Sequence, residues 1–419
     1  MAMTIGVHSS AQNRVRAVLA GMTLLISGTA MTEYGGNTAV AAVSEADPAT
    51  SRPDNAAVRR AMAEAVAGKG VPGMVAEVID GRQSWFGHAG VADTGTGRAQ
   101  RPHERVRIGS AAKAFTAAVV LQLEAAGELS LGDEVEKWLP GLVRGNGNDG
   151  REITIRQLLN HTSGIFNYGN DAQIVRTGQD FFEHRFDRYT PGQLVEAGLR
   201  NERYFPEPGD GFAYSNTGYF LAAMIVEKVT GNTLAEEIRR RIVLPLRLEG
   251  TYLPNDDEVR IRGPHPRHYS TLFVNEPGAE VYDVTEQNVS YGWAAGGMVS
   301  TVEDVDKFTR ALLQGQILAP AQQREMFTMV RTVVKSPATG EEIESWVSGT
   351  TYGLGVWSWT LGCGREVWGI GGAISGAMTF SLGTRDGEHL VGISMNIDQM
   401  TPELPTVKSV IEAKFCPAG

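Results

Sequence analysis

Ser110 and Lys113 stand three residues apart where a loop enters an apolar run. On a helix that spacing puts both side chains on one face, so the Lys113 amine can reach the Ser110 hydroxyl. A serine hydroxyl is a weak nucleophile until a neighbouring base accepts its proton, and an amine can be that base. A helix entrance adds unpaired backbone N–H groups and the positive end of the helix dipole. Both favour the negative charge that develops in acyl transfer. An ordinary surface Ser–Lys pair has the same spacing, so the meaning of this tetrad depends on the rest of the chain.

Tyr214-Ser215-Asn216 follows in a turn after Pro206-Glu-Pro-Gly-Asp-Gly211. A tyrosine relays a proton when a nearby cation lowers its pKa, and Asn216 can orient a substrate amide or hold the lysine. The tripeptide also reads as an Asx or Ser/Thr turn that caps the following helix. The two readings are compatible.

The elements that must position these groups are legible in the pattern. A helix is expected from Ser110 to about Ala126, stopped by Gly127. Phe115, Ala118, Val119, Leu121 and Leu123 make it apolar on nearly all sides, which suits an interior helix. A short helix is expected over 56–67, then a strand over 71–80. Asp80-Gly81 turns that strand into a partner over 83–91. The stretch from about 152 to 285 carries helical patterns and long polar loops, among them short helices over 153–159 and 218–229. Thr301 reads as a helix cap. Strands follow over 356–361, 377–382 and 389–395, the last two joined at Asp386-Gly387, and a closing helix over 406–415. Strands at both ends with helices between them suggest an α+β fold made from the two chain ends. The expected units are 56–145 with 286–419 as an α/β sandwich, and 146–285 as a mainly helical insert.

With 419 residues, 42% hydrophobic and 21% charged, the composition is that of a globular enzyme. A net charge of −10 and the absence of a basic stripe argue against a nucleic-acid partner. Arg14 and Arg16, the apolar run 17–31 and Ala39-Val40-Ala41 read as an export signal over 1–42, with a linker over 43–55. A secreted location is therefore expected, with no transmembrane anchor. Cys363 and Cys416 permit one disulfide in an exported chain and are equally compatible with two buried thiols. His265 and His268 lack ligand partners at metal spacing, so neither metal nor cofactor is expected.

Arg107-Ile-Gly-Ser-Ala-Ala-Lys113, Asn160-His-Thr-Ser-Gly164, Tyr214-Ser-Asn216 and Ala294-Ala-Gly-Gly-Met-Val-Ser-Thr301 occur in that order. In this arrangement the chain resembles the penicillin-recognising serine hydrolases: secreted DD-carboxypeptidases, class C β-lactamases and their esterase and transacylase relatives. S-x-x-K is an element of related enzymes. The likeness runs from about residue 56 to the C-terminus and takes in Thr285-Glu-Gln287 and the positions of Cys363 and Cys416. It implies a DD-peptidase/β-lactamase-like fold, an antiparallel sheet flanked by helices with a mainly helical insert. It also implies acylation of Ser110, with Lys113 taking the proton, Tyr214 passing one to the leaving group and Asn216 orienting the substrate. The backbone N–H groups of Ser110 and Ala373, beside Gly372, would form the oxyanion hole. Tyr291 falls where relatives place an aromatic wall. No Ser-His-Asp triad is needed, and no G-x-S-x-G elbow is present.

The pattern departs from these relatives in one region. Where they carry K-T-G or H-T-G, this chain has Ile370-Gly371-Gly372. Where secreted carboxypeptidases carry a carboxylate-binding arginine, it has Trp357. Three polar groups for a substrate carboxylate are absent together, and an apolar wall with Trp357 favours a neutral or hydrophobic group. The expected activity is acyl transfer from an ester or amide, small or peptide-like, to water or an amine. The alternatives are a D-alanyl-D-alanine carboxypeptidase or β-lactamase proper, and a non-catalytic binder of penicillin or peptide.

Overall fold

The computed structural model describes residues 55–68, 70–274, 276, 278–336, 340–398 and 403–416. The export segment lies outside the described residues, as does all but Asn55 of the linker. Both ends of the described chain contribute to one antiparallel sheet. Its strands are β1 (Gly73–Asp80), β2 (Gln83–Gly90), β3 (Val330–Arg331), β4 (Thr350–Tyr352), β5 (Trp357–Thr360), β6 (Glu366–Ile374), β7 (Ala377–Gly383) and β8 (His389–Met395). Their order is β2-β1-β8-β7-β6-β5-β4-β3. The N-terminal hairpin thus docks on the C-terminal one, with Met74 opposite Met395 and Val78 opposite Val391.

Five longer helices complete the frame: α1 (Ala56–Gly68), α2 (Ala112–Ala125), α3 (Asn216–Thr230), α4 (Val302–Leu313) and α5 (Glu403–Phe415). On one sheet face, α1 and α5 bury Met62, Val407 and Ile411 against Val78, Val391 and Ile393. On the other lies α4, whose Thr301 cap accepts from the Asp304 N–H at 3.1 Å. Its Phe308 stacks on Phe115 of α2 with ring centroids 3.7 Å apart. Helix α2 is interior, as its all-round apolarity requires: residues 112–121 and Leu123 are buried. Apart from α3, the described chain between α2 and α4 is short helices and loops with two-residue strands.

Cys363, in the turn between β5 and β6, is disulfide-bonded to Cys416 at the end of α5, across 53 residues. Closing a loop of that length in the unfolded chain is worth about 4 kcal/mol. Cys416→Ser should therefore lower the unfolding free energy by up to about that amount. Urea denaturation of the two proteins would check this, and an unchanged midpoint would contradict it.

Candidate active site

Ser110 sits on a 3-10 turn, Gly109–Ala111, that runs directly into α2. Lys113 follows on the first turn of α2 and is fully buried, while Ser110 is half-buried. Lys113 Nζ lies 3.1 Å from Ser110 Oγ. It donates to Asn216 Oδ1 and to the Ala295 carbonyl, both at 2.7 Å. A neutral amine has two N–H donors and one lone pair. Two carbonyl oxygens accept both donors here, which leaves the lone pair for the Ser110 O–H. Burial, with no carboxylate against it, holds the Lys113 amine well below the usual lysine range. The site thus contains a serine whose neighbour is set up as a proton acceptor.

Asn216 opens α3 and brings its amide to the lysine. Ser215, the residue before it, makes no side-chain cap. Its hydroxyl donates instead to the Phe166 carbonyl at 3.4 Å, so the capping reading of the tripeptide does not hold for Ser215. The Asn216 N–H donates to Asn167 Oδ1 at 3.2 Å. Tyr214 faces Ser110, and its phenol interacts with the Ser110 hydroxyl. A cation was the expected reason for Tyr214 to ionise readily. With Lys113 neutral that reason is missing, and burial pushes the phenol above its usual range. Tyr214 is therefore held protonated, the form that donates.

The third wall is backbone. Beyond Gly369, where pairing with β5 ends, the free edge of β6 runs against the Gly109–Ala111 turn. A Cβ on Gly372 would lie 2.1 Å from Ser110 N, and one on Gly109 2.8 Å from Ala373 N. Two glycines therefore permit this approach, and Gly109 also takes a positive φ of 51°. Ile374 pairs with Ala377 across a two-residue turn. Pairs alternate between bonded and non-bonded in an antiparallel ladder, so Ala373 turns its N–H to the free edge, beside Ser110. Tyr291 is half-buried and fixed by its hydroxyl, which donates to Gln287 Oε1 at 3.1 Å and lies 3.3 Å from Ser375 Oγ. Gln287 in turn donates to the Ser375 carbonyl at 2.8 Å, tying the turn after β6 to this aromatic.

One expectation about the altered stretch is corrected. Trp357 does not line the cleft: it is 4% exposed. It and Trp359, two residues apart on β5, turn to the face under α5, and Lys408 Nζ lies 5.5 Å from the Trp359 ring. The tryptophan beside the site is Trp346, in the loop before β4. Its ring lies parallel to that of Tyr214, centroids 5.6 Å apart, with Trp357 behind it at 5.5 Å. Ile370 is wholly buried in the helical core. The space of a side chain at Gly371 is filled by Phe380, whose ring would lie 2.3 Å from a Cβ there. Restoring the hydroxyl with Gly371→Thr should cost about 1–3 kcal/mol, and the penalty should shrink in a Phe380→Ala background. A double-mutant cycle by denaturation measures that coupling; additive losses would refute it.

Sequence reasoning names Ser110, Lys113, Tyr214, Asn216, Tyr291, Gly372 and Ala373, and the fold gathers them. It misses Trp346, an isolated residue outside any motif. It also misses the Ala295 carbonyl, because a backbone oxygen leaves no side-chain signal.

The beta-lactamase family profile matches residues 58–410. The chain belongs to the beta-lactamase family. Among solved structures, this beta-lactamase-family chain is similar to a D-stereospecific amidohydrolase from a Streptomyces species. They are 42% identical with a TM-score of 0.76, covering 88% of this chain and 100% of that one. It is also similar to the D-amino acid amidase of Ochrobactrum anthropi SV3, solved with L-phenylalanine amide. That pair is 26% identical with a TM-score of 0.71, covering 86% of this chain and 97% of that one. Penicillin-binding protein 4* of Bacillus subtilis (strain 168) is 32% identical over 260 residues, which is 59% of this chain and 52% of that protein. The match thus spans about half the length of that relative.

Proposed function

We propose that this chain is a serine acyl-transfer hydrolase that cleaves amides or esters of D-configured amino acids bearing a neutral, hydrophobic side chain. The observation that carries the reading is the Lys113 amine, held by two carbonyl oxygens and 3.1 Å from Ser110 Oγ. In this mechanism Ser110 Oγ forms a bond to the substrate carbonyl carbon as Lys113 takes the hydroxyl proton. The N–H groups of Ser110 and Ala373 receive the developing oxyanion. Tyr214 gives its proton to the leaving nitrogen as the C–N bond breaks. Water, or an amine, then attacks the acyl-enzyme and gives a proton to Tyr214, and Ser110 regains its own from Lys113.

The D-configuration is taken by analogy from the Streptomyces amidohydrolase and the Ochrobactrum amidase. The apolar surroundings of the site support a neutral group. The second reading, cleavage of D-alanyl-D-alanine or of a β-lactam, is favoured by the Bacillus penicillin-binding relative. Ile370, Gly371 and Trp357 speak against it, because none can pair with a carboxylate. Turnover of D- and L-phenylalanine amide, a D-Ala-D-Ala peptide and a cephalosporin would separate these readings. The D-amide should be the best substrate, and a D-Ala-D-Ala peptide turned over as well as the D-amide would overturn the reading. Trp346→Ala should raise KM for the aromatic amide about tenfold with little change in kcat, the signature of lost ground-state contact. An unchanged KM would remove Trp346 from the substrate site. An exported location also belongs to this proposal and is supported by the Cys363–Cys416 disulfide. N-terminal sequencing of protein recovered from culture medium tests it.

A further inference from the structure

We propose that His161 is a positioning residue that clamps the backbone on both sides of Tyr214 and thereby keeps the phenol in register with Ser110. His161 lies in the turn after the short helix Ile155–Leu159 and is 1% exposed. Its carbonyl accepts the N–H of Ala213 at 2.9 Å, and its ring Nδ1 accepts the N–H of Ser215 at 3.2 Å. Those are the residues immediately before and after Tyr214. The imidazole also lies against the tyrosine ring, centroids 4.3 Å apart, and Tyr352 at 4.7 Å, Tyr219 at 5.3 Å and Phe212 at 5.6 Å enclose it.

Three further observations point the same way. His161 has a φ of 62°. A left-handed conformation at a residue with a Cβ costs about 1–2 kcal/mol, and it persists only where the surroundings over-determine it. The Ser215 hydroxyl does not cap α3, so the turn at Tyr214 depends on grips from other segments. An accepting Nδ1 requires a neutral ring with its proton on Nε2. Burial pushes the imidazole well below its ordinary range. The titratable groups around it are Lys113, Tyr214, Tyr219 and Tyr352, and none of these is a carboxylate that would favour the charged form.

Misplacing a reacting group by about 1 Å costs on the order of a hundredfold in rate. The clamp should therefore act on kcat rather than on KM. The inference rests on the acyl-transfer reading of Ser110 and Tyr214. The test uses the full chain, a fluorophosphonate that labels Ser110, and D-phenylalanine amide as substrate. His161→Asn keeps an acceptor near the Nδ1 position and tolerates a positive φ. His161→Gln carries its amide out to the Nε2 position instead, and His161→Phe keeps a ring without an acceptor. Labelling rate and kcat should fall about a hundredfold in the Gln and Phe variants with KM nearly unchanged. The Asn variant should recover at least about a tenfold part of that loss, even if its melting temperature matches that of the Gln variant. Wild-type rates in the Gln variant, or an Asn variant no faster than Gln, would overturn the clamp. Failure to label Ser110 in the unaltered protein would instead sink the acyl-transfer reading itself.

Discussion

Replacing Lys113 with methionine lowers kcat/KM by about four orders of magnitude, the upper end of what a positioned base contributes. The loss should fall on kcat, because Lys113 is fully buried behind Ser110 and touches the reacting hydroxyl rather than the substrate body. Methionine preserves volume in the interior, so the loss cannot be assigned to a cavity. Stability should move the other way. Burial holds the folded-state pKa of Lys113 below that of the unfolded chain. Between those two values the unfolded chain binds the proton and the folded site does not. The Lys113 contribution to stability therefore rises with pH up to the unfolded value of about 10.4, and at neutral pH the lysine is a net burden. Lys113→Met should remove that slope and raise the melting temperature at pH 7. Steady-state kinetics with melting curves across pH would check both halves. An active variant, or one that melts lower at pH 7, would contradict the neutral-amine account.

Gly372→Ala is the second large effect. Its methyl would fall 2.1 Å from Ser110 N, 2.6 Å from Ala111 N and 2.7 Å from Ser110 Cα, all backbone atoms that cannot swing aside. Strand β6 must retreat by about 1 Å, and with it the Ala373 N–H. Losing one oxyanion donor costs about 10²–10³ in kcat, so a decrease of that size is expected with KM less affected. Gly68→Ala, at a position with nothing within 4 Å, is the control for a harmless methyl. Equal kcat in Gly372→Ala and Gly68→Ala would remove the strand edge from the mechanism.

The parts of the site that were legible in the sequence share a physical property: each rests on a side chain at local spacing. Ser110 and Lys113 are one helical turn apart, and Asn216 opens a helix whose stop, Gly231, sits in the left-handed region at φ 71°. Strands β1, β7 and β8 are long and apolar, and Asp-Gly turns join β1 to β2 and β7 to β8. Strands β3 and β4, of two and three residues, are too short to carry a period. Strand β6 hides its alternation because Gly369, Gly371 and Gly372 have no side chains to alternate. Trp357 was misplaced for a related reason. The resemblance puts a tryptophan where secreted carboxypeptidases carry an arginine, but the face it turns to depends on the pairing of β5 with β6. Trp346 and His161 reach the site from distant loops, which only the folded chain brings together.

Every step of the proposed mechanism requires Ser110 to carry the acyl group. The most direct measurement is acid-quenched mass spectrometry during turnover of D-phenylalanine amide, with the unaltered protein and Ser110→Ala in parallel. A phenylalanyl adduct confined to the peptide containing Ser110 is expected, with neither adduct nor turnover in the variant. Turnover that survives in Ser110→Ala, or an adduct on another residue, would contradict it.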